Sequence, residues 1–455
     1  MEEERKHGLT RRNLLRLGGM SAAGMVLAAC PGPQETEGDA AADAPSAEPG
    51  SVSLWVDWTN LDPAIDTIKE MESFQEHIGN YDLVFKSGVQ LEEKLAALAA
   101  GDPPDLNSCT GYVEFWSRGV ILPVDDQLAG SALIDEDDLL TNLVQSTVFD
   151  GQKIGIVGIE SYIWWGINYN RRHVEEAGLD PDNPPGTIEG WLEWQKEMTI
   201  FDDAGNMERV GWDPYDGMAQ EPDYPAFAFG LNWWNDEEHT FHFDDERMAQ
   251  AADTFGEFHR IAGPDNLAGM RGVDGQGYWG AAYRAEVQSA ILLGYWAPGE
   301  TTLLGRPETA ESNMVTWVPV PASREGTKMM ATGAHMIQSF KDSPNIEAGF
   351  RVSEFLTADS AALDAIFAEV GWLTGKKSYL ATVDPDAFNG LGWYLDAPDQ
   401  ADEWLIGRRC PIHWFLNDEW AALREEVYRG ITPAGEAMAE LQKRAEEEYA
   451  AQGLG

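Results

Sequence analysis

The chain has 455 residues, with 78 acidic residues against 31 basic ones and a formal net charge of −47. That excess excludes nucleic acid as a partner, since phosphate binding needs clusters of Lys and Arg. It also argues against docking of the protein body on anionic lipid. The acids are spread along the whole chain and read as solvated surface, with a preference for cationic ligands as the sharper alternative. The length suits two domains.

In chain order, residues 1–29 read as an export signal. Arg11-Arg12-Asn13-Leu14-Leu15 points to the twin-arginine route, and an uncharged apolar stretch follows from Leu17 to Ala29. That stretch is about thirteen residues, whereas a bilayer span needs about twenty. Leu27-Ala28-Ala29-Cys30 resembles a bacterial-type lipobox, which makes Cys30 the lipidated first residue of the mature chain. Cleavage removes five basic and three acidic residues, so −47 becomes −49. Residues 30–50 hold Pro, Gly, Ala, Ser and acids, with almost nothing to bury, and read as a disordered tether.

The globule opens with a strand at Ser51–Trp58, by its alternation and β-formers. A helix is expected over 61–78, a strand over Tyr81–Phe85, a helix over Glu92–Ala100 closed by Gly101, and a short strand from Leu106. Strand alternating with helix is the pattern of a parallel α/β layer. The Asp150-Gly151 turn leads to a buried strand over Lys153–Ile159, and an aromatic one follows over Tyr162–Tyr169. Helices are expected at 171–177, at 188–199 with Thr187 as cap, at 245–261 and at 281–291. Strands are expected at Met314–Val320 and Met329–Gln338. Helices follow at Asn345–Leu356 and Ser360–Ala368. A last one has Thr432 as N-cap and Pro433 as first helical residue. Cys109 and Cys410, far apart in sequence, either pair or stand as two buried thiols.

Several segments in order resemble one family, the extracellular solute-binding proteins of ABC importers, in the group with maltose- and oligosaccharide-binding proteins. Leu98-Ala-Ala-Gly101-Asp-Pro-Pro-Asp105 resembles its "A-x-G-x-x-P-D", and Arg118-Gly119-Val-Ile-Leu122-Pro123-Val-Asp125 its "G-x-L-x-P-L-D". Asp150-Gly151-Gln-Lys-Ile-Gly155, running on to Tyr169-Asn170-Arg171, resembles "D-G-K-x-Y-G-x-P…Y-Y-N-K". Glu176-Ala-Gly-Leu179 with Pro184-Pro185-Gly-Thr187-Ile-Glu-Gly-Trp191 resembles "E-x-A-G-L-x-P-P-x-T-W-x-E". Gly294-Tyr295-Trp296 and Gly430-Ile-Thr-Pro-Ala-Gly-Glu-Ala437 complete the series across residues 51–450. Two segments depart from the pattern. Ile156-Val157-Gly158 replaces Gly-x-Pro, and Trp372-Leu373-Thr374-Gly375 stands where many members have Pro-x-Arg.

The resemblance implies an α/β, two-lobed periplasmic-binding-protein-like fold of type II. Each lobe is a mostly parallel sheet flanked by helices, and hinge crossovers join the two. Lobe 1 would hold 51–158 plus 333–370, and lobe 2 159–332 plus 371–455. The chain would cross near Val157–Ser161, near Met330–Gly333 and around Phe367–Thr374. The implied function is a substrate-binding lipoprotein that captures a carbohydrate between the lobes and delivers it to ABC permease subunits. It would act as a monomer, with no cofactor and no metal, anchored by lipid to the outer face of the cytoplasmic membrane.

Sugar binding needs aromatic faces for the C–H side of a pyranose and short polar chains for its hydroxyls. Such groups belong at strand ends, where α/β clefts open. The chain has 18 Trp and 13 Tyr. Asp57 and Trp58 follow the first strand, in a loop that lines the cleft by resemblance, against the plainer reading of a capping Asp and a core Trp. Thr110 and Tyr112 take matching family positions, and Glu160 matches a ligand-binding carboxylate of the maltose-type members. Alternation puts Tyr162 and Trp164 on one face and Trp165 on the other, one of them core. Trp233 and Trp234 sit in an Asn- and Asp-rich segment, and Trp296 matches the family's stacking Trp. Trp372 and Trp414 are weaker candidates, while Trp404 and Trp420 lie in helical text and read as core.

Three other classes compete. An exported glycoside-acting enzyme needs two placed carboxylates, but so many acids make pairs uninformative, and no Gly-x-Ser-x-Gly is present. A metalloprotein could use His239 and His242, yet spacing-matched ligands are missing and the pair reads as surface. A binding protein for a polyol, polyamine or peptide is the serious competitor.

Overall fold

Alternation builds the first layer. In β1 (Gly50–Trp55) Val52 and Leu54 are buried, and the strand pairs parallel with β2 (Tyr81–Lys86) and β3 (Leu106–Asn107). The computed structural model describes residues 50–159, 161–270, 279–333 and 335–454. The expected signal, Cys30, the tether up to residue 49 and Glu160 lie outside the described residues.

The later strands are β4 (Ile156–Val157), β5 (Gly166–Asn170), β6 (Ile200–Phe201), β7 (Met207–Gly217), β8 (Gln288–Leu293), β9 (Asn313–Trp317), β10 (Met329–Thr332), β11 (Met336–Ser339) and β12 (Glu403–Ile406). They form two five-stranded sheets, one in each lobe: β2-β1-β3-β11-β4 and β9-β5-β8-β7-β6. β11 enters the first sheet antiparallel to β3 and β4. In the second sheet β5 runs antiparallel to β8 and β9, while β8 and β7 are parallel. Pro214 lies in β7 where the register to β8 shifts, as expected of a residue with no N–H to give a ladder. A short parallel pair, β10 with β12, lies at the junction. Among the described residues no helix is long and apolar enough to cross a membrane.

The two cores differ in kind. The first packs aliphatic strand residues against Phe74, Phe355 and Ile366, and it also takes in Leu373, Leu391 and Tyr394. The second is built from indoles. Trp165, Trp191 and Trp212 are fully buried, with Trp191 and Trp212 edge to face at 6.1 Å and Trp212 on Phe258 at 5.1 Å.

Most expected elements are found within one or two residues, as the ambiguity of helix ends allows. Thr187 caps the helix Ile188–Met198 by accepting from the Gly190 N–H at 3.1 Å. Pro433, rather than Thr432, takes the cap position before Ala434–Ala451. Six expectations are corrected. The strand expected over Lys153–Ile159 is two short strands, Gln152–Lys153 and Ile156–Val157, in different sheets. Trp404, read as helical, lies in β12. Residues 61–78 form two helices, Asp62–Lys69 and Glu72–Ile78, because the apolar step from Ile68 to Phe74 does not fit the helical period. The expected helix at 281–291 is a one-turn helix, Ala281–Arg284, followed by β8. A strand buried on both faces has no polar alternation to betray it. The aromatic strand begins only at Gly166, since Trp165 has φ +74 and turns the chain out of extended geometry. Met329–Gln338 is cut at Gly333 into β10 and β11, which lie in different sheets. Cys109 and Cys410 are two buried thiols with no disulfide between them.

The last break is where the chain passes between the lobes, and glycines permit the approach. A Cβ on Gly333 would fall 2.3 Å from the Trp164 ring, and one on Gly158 would fall 1.6 Å from the His335 carbonyl oxygen. Gly158→Ala therefore forces a backbone shift and is expected to cost about 3 kcal/mol in urea unfolding. Gly435→Ala, in a helix with nothing within 4 Å of the new methyl, is expected to gain about 0.5–1 kcal/mol in the same assay.

Candidate functional site

The loop after β12 begins at Gly407, directly beneath the Trp164 indole. Arg408 follows with φ +57, a conformation that costs a non-glycine residue energy and that the surrounding packing must hold. Its Nη2 donates to Glu221 Oε1 at 2.6 Å and its Nε to Glu221 Oε2 at 3.3 Å. Its Nη1 lies 3.0 Å from His335 Nε2. The guanidinium is held between the faces of Trp164 and Trp414, 5.0 and 5.1 Å from their ring centres. Burial, then the cation of Arg408, lowers the His335 pKa well below its ordinary value, which keeps the ring neutral. Burial would raise the Glu221 carboxyl, but Arg408 and His413 hold it down at about 2.

Around this clamp the structure gathers several of the expected residues. Trp58 lies 4.8 Å from the His335 ring and 5.1 Å, edge-on, from Trp372. Tyr112 and Trp164 lie 6.3 and 5.6 Å from the same His335 ring. Asp57 and Thr110 are held from below by Lys94, a fully buried side chain on the helix Leu91–Ala100. Its Nζ donates to the Asp57 carboxylate, to Ser108 O at 2.8 Å and to Thr110 Oγ1 at 3.4 Å. Cys109, between these contacts, has φ +84.

A second polar node lies beside Trp372. Its Nε1 donates to Glu300 Oε1 at 3.2 Å, Asn60 Nδ2 reaches the same oxygen at 3.5 Å, and Arg284 binds Oε2 at 3.3 Å. Burial pushes the Glu300 carboxyl up against the pull of Arg284. Trp296, half-buried, ends the strand–turn that precedes this helix and packs against the cores of both lobes.

Other expected residues stand apart from the indole cluster. Tyr162 packs on Tyr295 and donates to Tyr394 O at 3.1 Å. Trp233 stacks on Phe243 at 4.9 Å and donates to Asp223 Oδ1 at 3.2 Å. Trp234 packs on Phe241 and Tyr449. Both Trp233 and Trp234 line a small cavity that Arg408 and Arg409 close from the other side. His239 stacks on Trp234.

Glu221, Asp223 and His413 are all buried and could each offer an atom to a metal ion within 4.8 Å of one another. Both Glu221 oxygens, however, already serve Arg408. The two nitrogens of His413 face different carboxylates, Nε2 at 3.7 Å from Glu221 and Nδ1 at 4.0 Å from Asp223. Of that donor set, Glu221 is committed to Arg408, while both ring nitrogens of His413 and Oδ2 of Asp223 are buried without a hydrogen bond.

Sequence reasoning missed Arg408, Glu221, His335, Lys94 and Glu300. One signal was there: adjacent arginines in a chain with only 31 basic residues. Arg409 links the lobes directly. It binds Asp236, donates to Val148 O at 2.9 Å, and lies 3.8 Å over the Phe149 ring.

Two lobes, a chain that passes between them and indoles gathered at their junction are the architecture of a two-lobed binding protein. Residues 63–363 match the family described as "Bacterial extracellular solute-binding protein", and the chain belongs to that family. Solved structures with the same fold include an ABC substrate-binding protein, Lmo0181, from Listeria monocytogenes in complex with cycloalternan (14% identity, TM-score 0.70, 88% of this chain and 99% of that one). The GacH receptor of Streptomyces glaucescens GLA.O, solved unliganded and with acarbose, is 18% identical, with TM-score 0.68 over 88% and 98% of the two chains. The maltose/maltodextrin-binding domain MalE of Bdellovibrio bacteriovorus, bound to maltotriose, is 15% identical, with TM-score 0.66 over 88% and 100%. No curated protein sequence matches the chain significantly.

Removal of the clamp should be costly. Arg408→Ala leaves the Glu221 carboxylate, 2% exposed, buried without its cation, and a loss of about 3–5 kcal/mol is expected in chemical unfolding. The native pKa near 2 lies below the ordinary 4.5. Its stabilisation is therefore complete above pH 4.5 and fades as pH falls from 4.5 towards 2. Arg408→Ala is expected to lose that limb of the stability–pH curve.

Proposed function

We propose that this solute-binding protein captures a carbohydrate, an oligosaccharide or glycoside, in the interlobe cleft and delivers it to the membrane permease subunits of an ABC importer. The observation that carries this is the indole cluster of Trp58, Trp164, Trp372 and Trp414 around the Arg408–His335 contact, next to hydroxyl and carboxylate groups held in place from below. Aromatic faces suit the apolar side of a pyranose, and fixed acceptors suit its hydroxyls. The relatives bound to cycloalternan, acarbose and maltotriose support the same reading. Trp58, Tyr112, Trp164, Trp296, Trp372 and Trp414 are the proposed stacking residues, with Asp57 and Thr110 on the hydroxyls. Trp233 and Trp234 would act at the adjoining cavity, Tyr162 from the crossover, and Glu160 as a further carboxylate.

The protein would bind without chemistry, as a monomer. The lobes, 51–158 plus 333–370 and 159–332 plus 371–455, would close by bending at the crossovers. Solute would shift the population to the extent that it binds the closed form better. Export through the twin-arginine route and a lipid on Cys30 would hold the globule at the outer face of the cytoplasmic membrane, on the tether of residues 31–49.

A thermal-shift screen with saccharides, polyols, polyamines and peptides tests this, since a ligand of the native state alone raises Tm by mass action. A saccharide hit is expected, with a change in Trp emission. Trp58→Ala and Trp414→Ala should each weaken it by about 2 kcal/mol, roughly thirtyfold, as truncated aromatic anchors do. A hit confined to polyamines or peptides would remove the sugar and keep the binding class, and turnover of a saccharide would replace both with an enzyme.

A further inference from the structure

Where Tyr112, Val113 and Glu114 of the first lobe face Arg408, His413 and Trp414 of the second, they line a small cavity. Glu114 is the one carboxylate of that wall, and both ring nitrogens of His413 on the same wall are buried without a hydrogen bond. The Glu114 Oε2 is buried and has no hydrogen-bond partner. Of the nearby carboxylates, Asp57 pairs with Lys94, Glu221 with Arg408 and Glu300 with Arg284, while Asp223 accepts from Trp233 through one oxygen and leaves the other without a hydrogen bond, 4.0 Å from His413. A buried oxygen acceptor with nothing to accept is costly, of a kind that native structures keep for a reason. The Tyr112 and Trp414 rings form walls beside it.

We propose that Glu114 is a solute-contacting carboxylate of the cleft, accepting a hydrogen bond from an O–H or N–H donor of the bound solute. This deepens the saccharide reading and rests on it for the nature of the donor.

The electrostatics around the carboxyl support the assignment. Burial raises it to about 7, against the pull of His413 across the cleft and Arg118 on its own side, with Glu92 adding a little in the same direction as burial. Cys410 and Arg408 complete the groups that face it. The thiol is itself pushed well up by burial and is neutral, and the Arg408 cation is committed to Glu221. Two consequences have opposite signs. Without solute, a carboxyl raised from 4.5 to about 7 favours the fold below pH 4.5, and this contribution is lost as pH rises through 7. With solute, the ionised form is the better acceptor, so binding expels the proton and affinity rises with pH through 7.

The test uses the full chain in detergent and its Glu114→Gln variant, which keeps size and shape. Without solute, Tm is measured from pH 5 to pH 8. Glu114→Gln is expected to gain on the wild type between pH 5 and about pH 7 and to keep that gain to pH 8, and curves parallel over the whole range would overturn the proposal. With solute, maltotriose and the trisaccharide of glucosamine are titrated calorimetrically at pH 6 and pH 8. Wild-type affinity is expected to be about tenfold weaker at pH 6 than at pH 8. The variant should bind at least tenfold more weakly at pH 8 and show no such slope. Preference for the amino sugar would identify an ammonium donor, and preference for maltotriose a hydroxyl. Equal affinities and slopes in wild type and variant would overturn the assignment while leaving the saccharide reading intact. If neither sugar binds, the saccharide reading fails, and the curves without solute decide the placement of Glu114 alone.

Discussion

The indole and imidazole cluster at the junction of the lobes depends on one desolvated cation. Arg408 leaves a strand of the second-lobe side, takes a left-handed backbone, and inserts its guanidinium between two indoles with Glu221 beneath it. Without that carboxylate a buried guanidinium would be untenable, and without the guanidinium Glu221 would carry the full cost of burial. The planar fork matters as well as the charge: one edge meets both Glu221 oxygens while another nitrogen reaches His335. A lysine is a point charge and could not serve the three directions together. Trp164, Trp414 and His335 are thus positioned by a single group.

The fold was legible because its signals are local. Alternation in Val52 and Leu54, the Gly101 stop and the Thr187 cap each have a short-range physical cause, and the structure uses each as the sequence suggests. The errors fall where tertiary packing decides. β8 is buried on both faces, so its apolar run carries no period. The break at Gly333 is set by a Trp164 ring distant in sequence.

The candidate site was legible only in part, for a related reason. Tryptophan abundance pointed to stacking, yet much of it is structural: Trp165, Trp191, Trp194 and Trp212 form the core of the second lobe. Composition cannot separate an indole that packs on Phe258 from one that faces a cleft, because both occupy apolar surroundings. The polar partners were harder still. In a chain with 78 acids, no single Glu announces that it lies beneath an arginine, and Lys94 reads as an ordinary residue of an Ala-rich helix although its side chain is fully buried.

The contacts between the lobes combine apolar packing, as of Trp296 on both cores, with polar links. Inside each lobe, aliphatic and indole side chains exclude water and cannot separate without losing that burial. Polar links also cross the junction: Arg409 to backbone carbonyls of Ser146 and Val148, Arg408 to His335, and Glu300 to Asn60. Each such bond can be exchanged for water at a net cost of about 1 kcal/mol. A junction of this composition can open without unfolding either lobe. The same exchange makes it sensitive to solute, because a molecule that replaces water at the indole faces and satisfies an idle acceptor contributes to closure what the protein alone does not. In this acid-rich chain Lys94, Arg284, Arg408 and Arg409 are the cations that stand where they organise the junction.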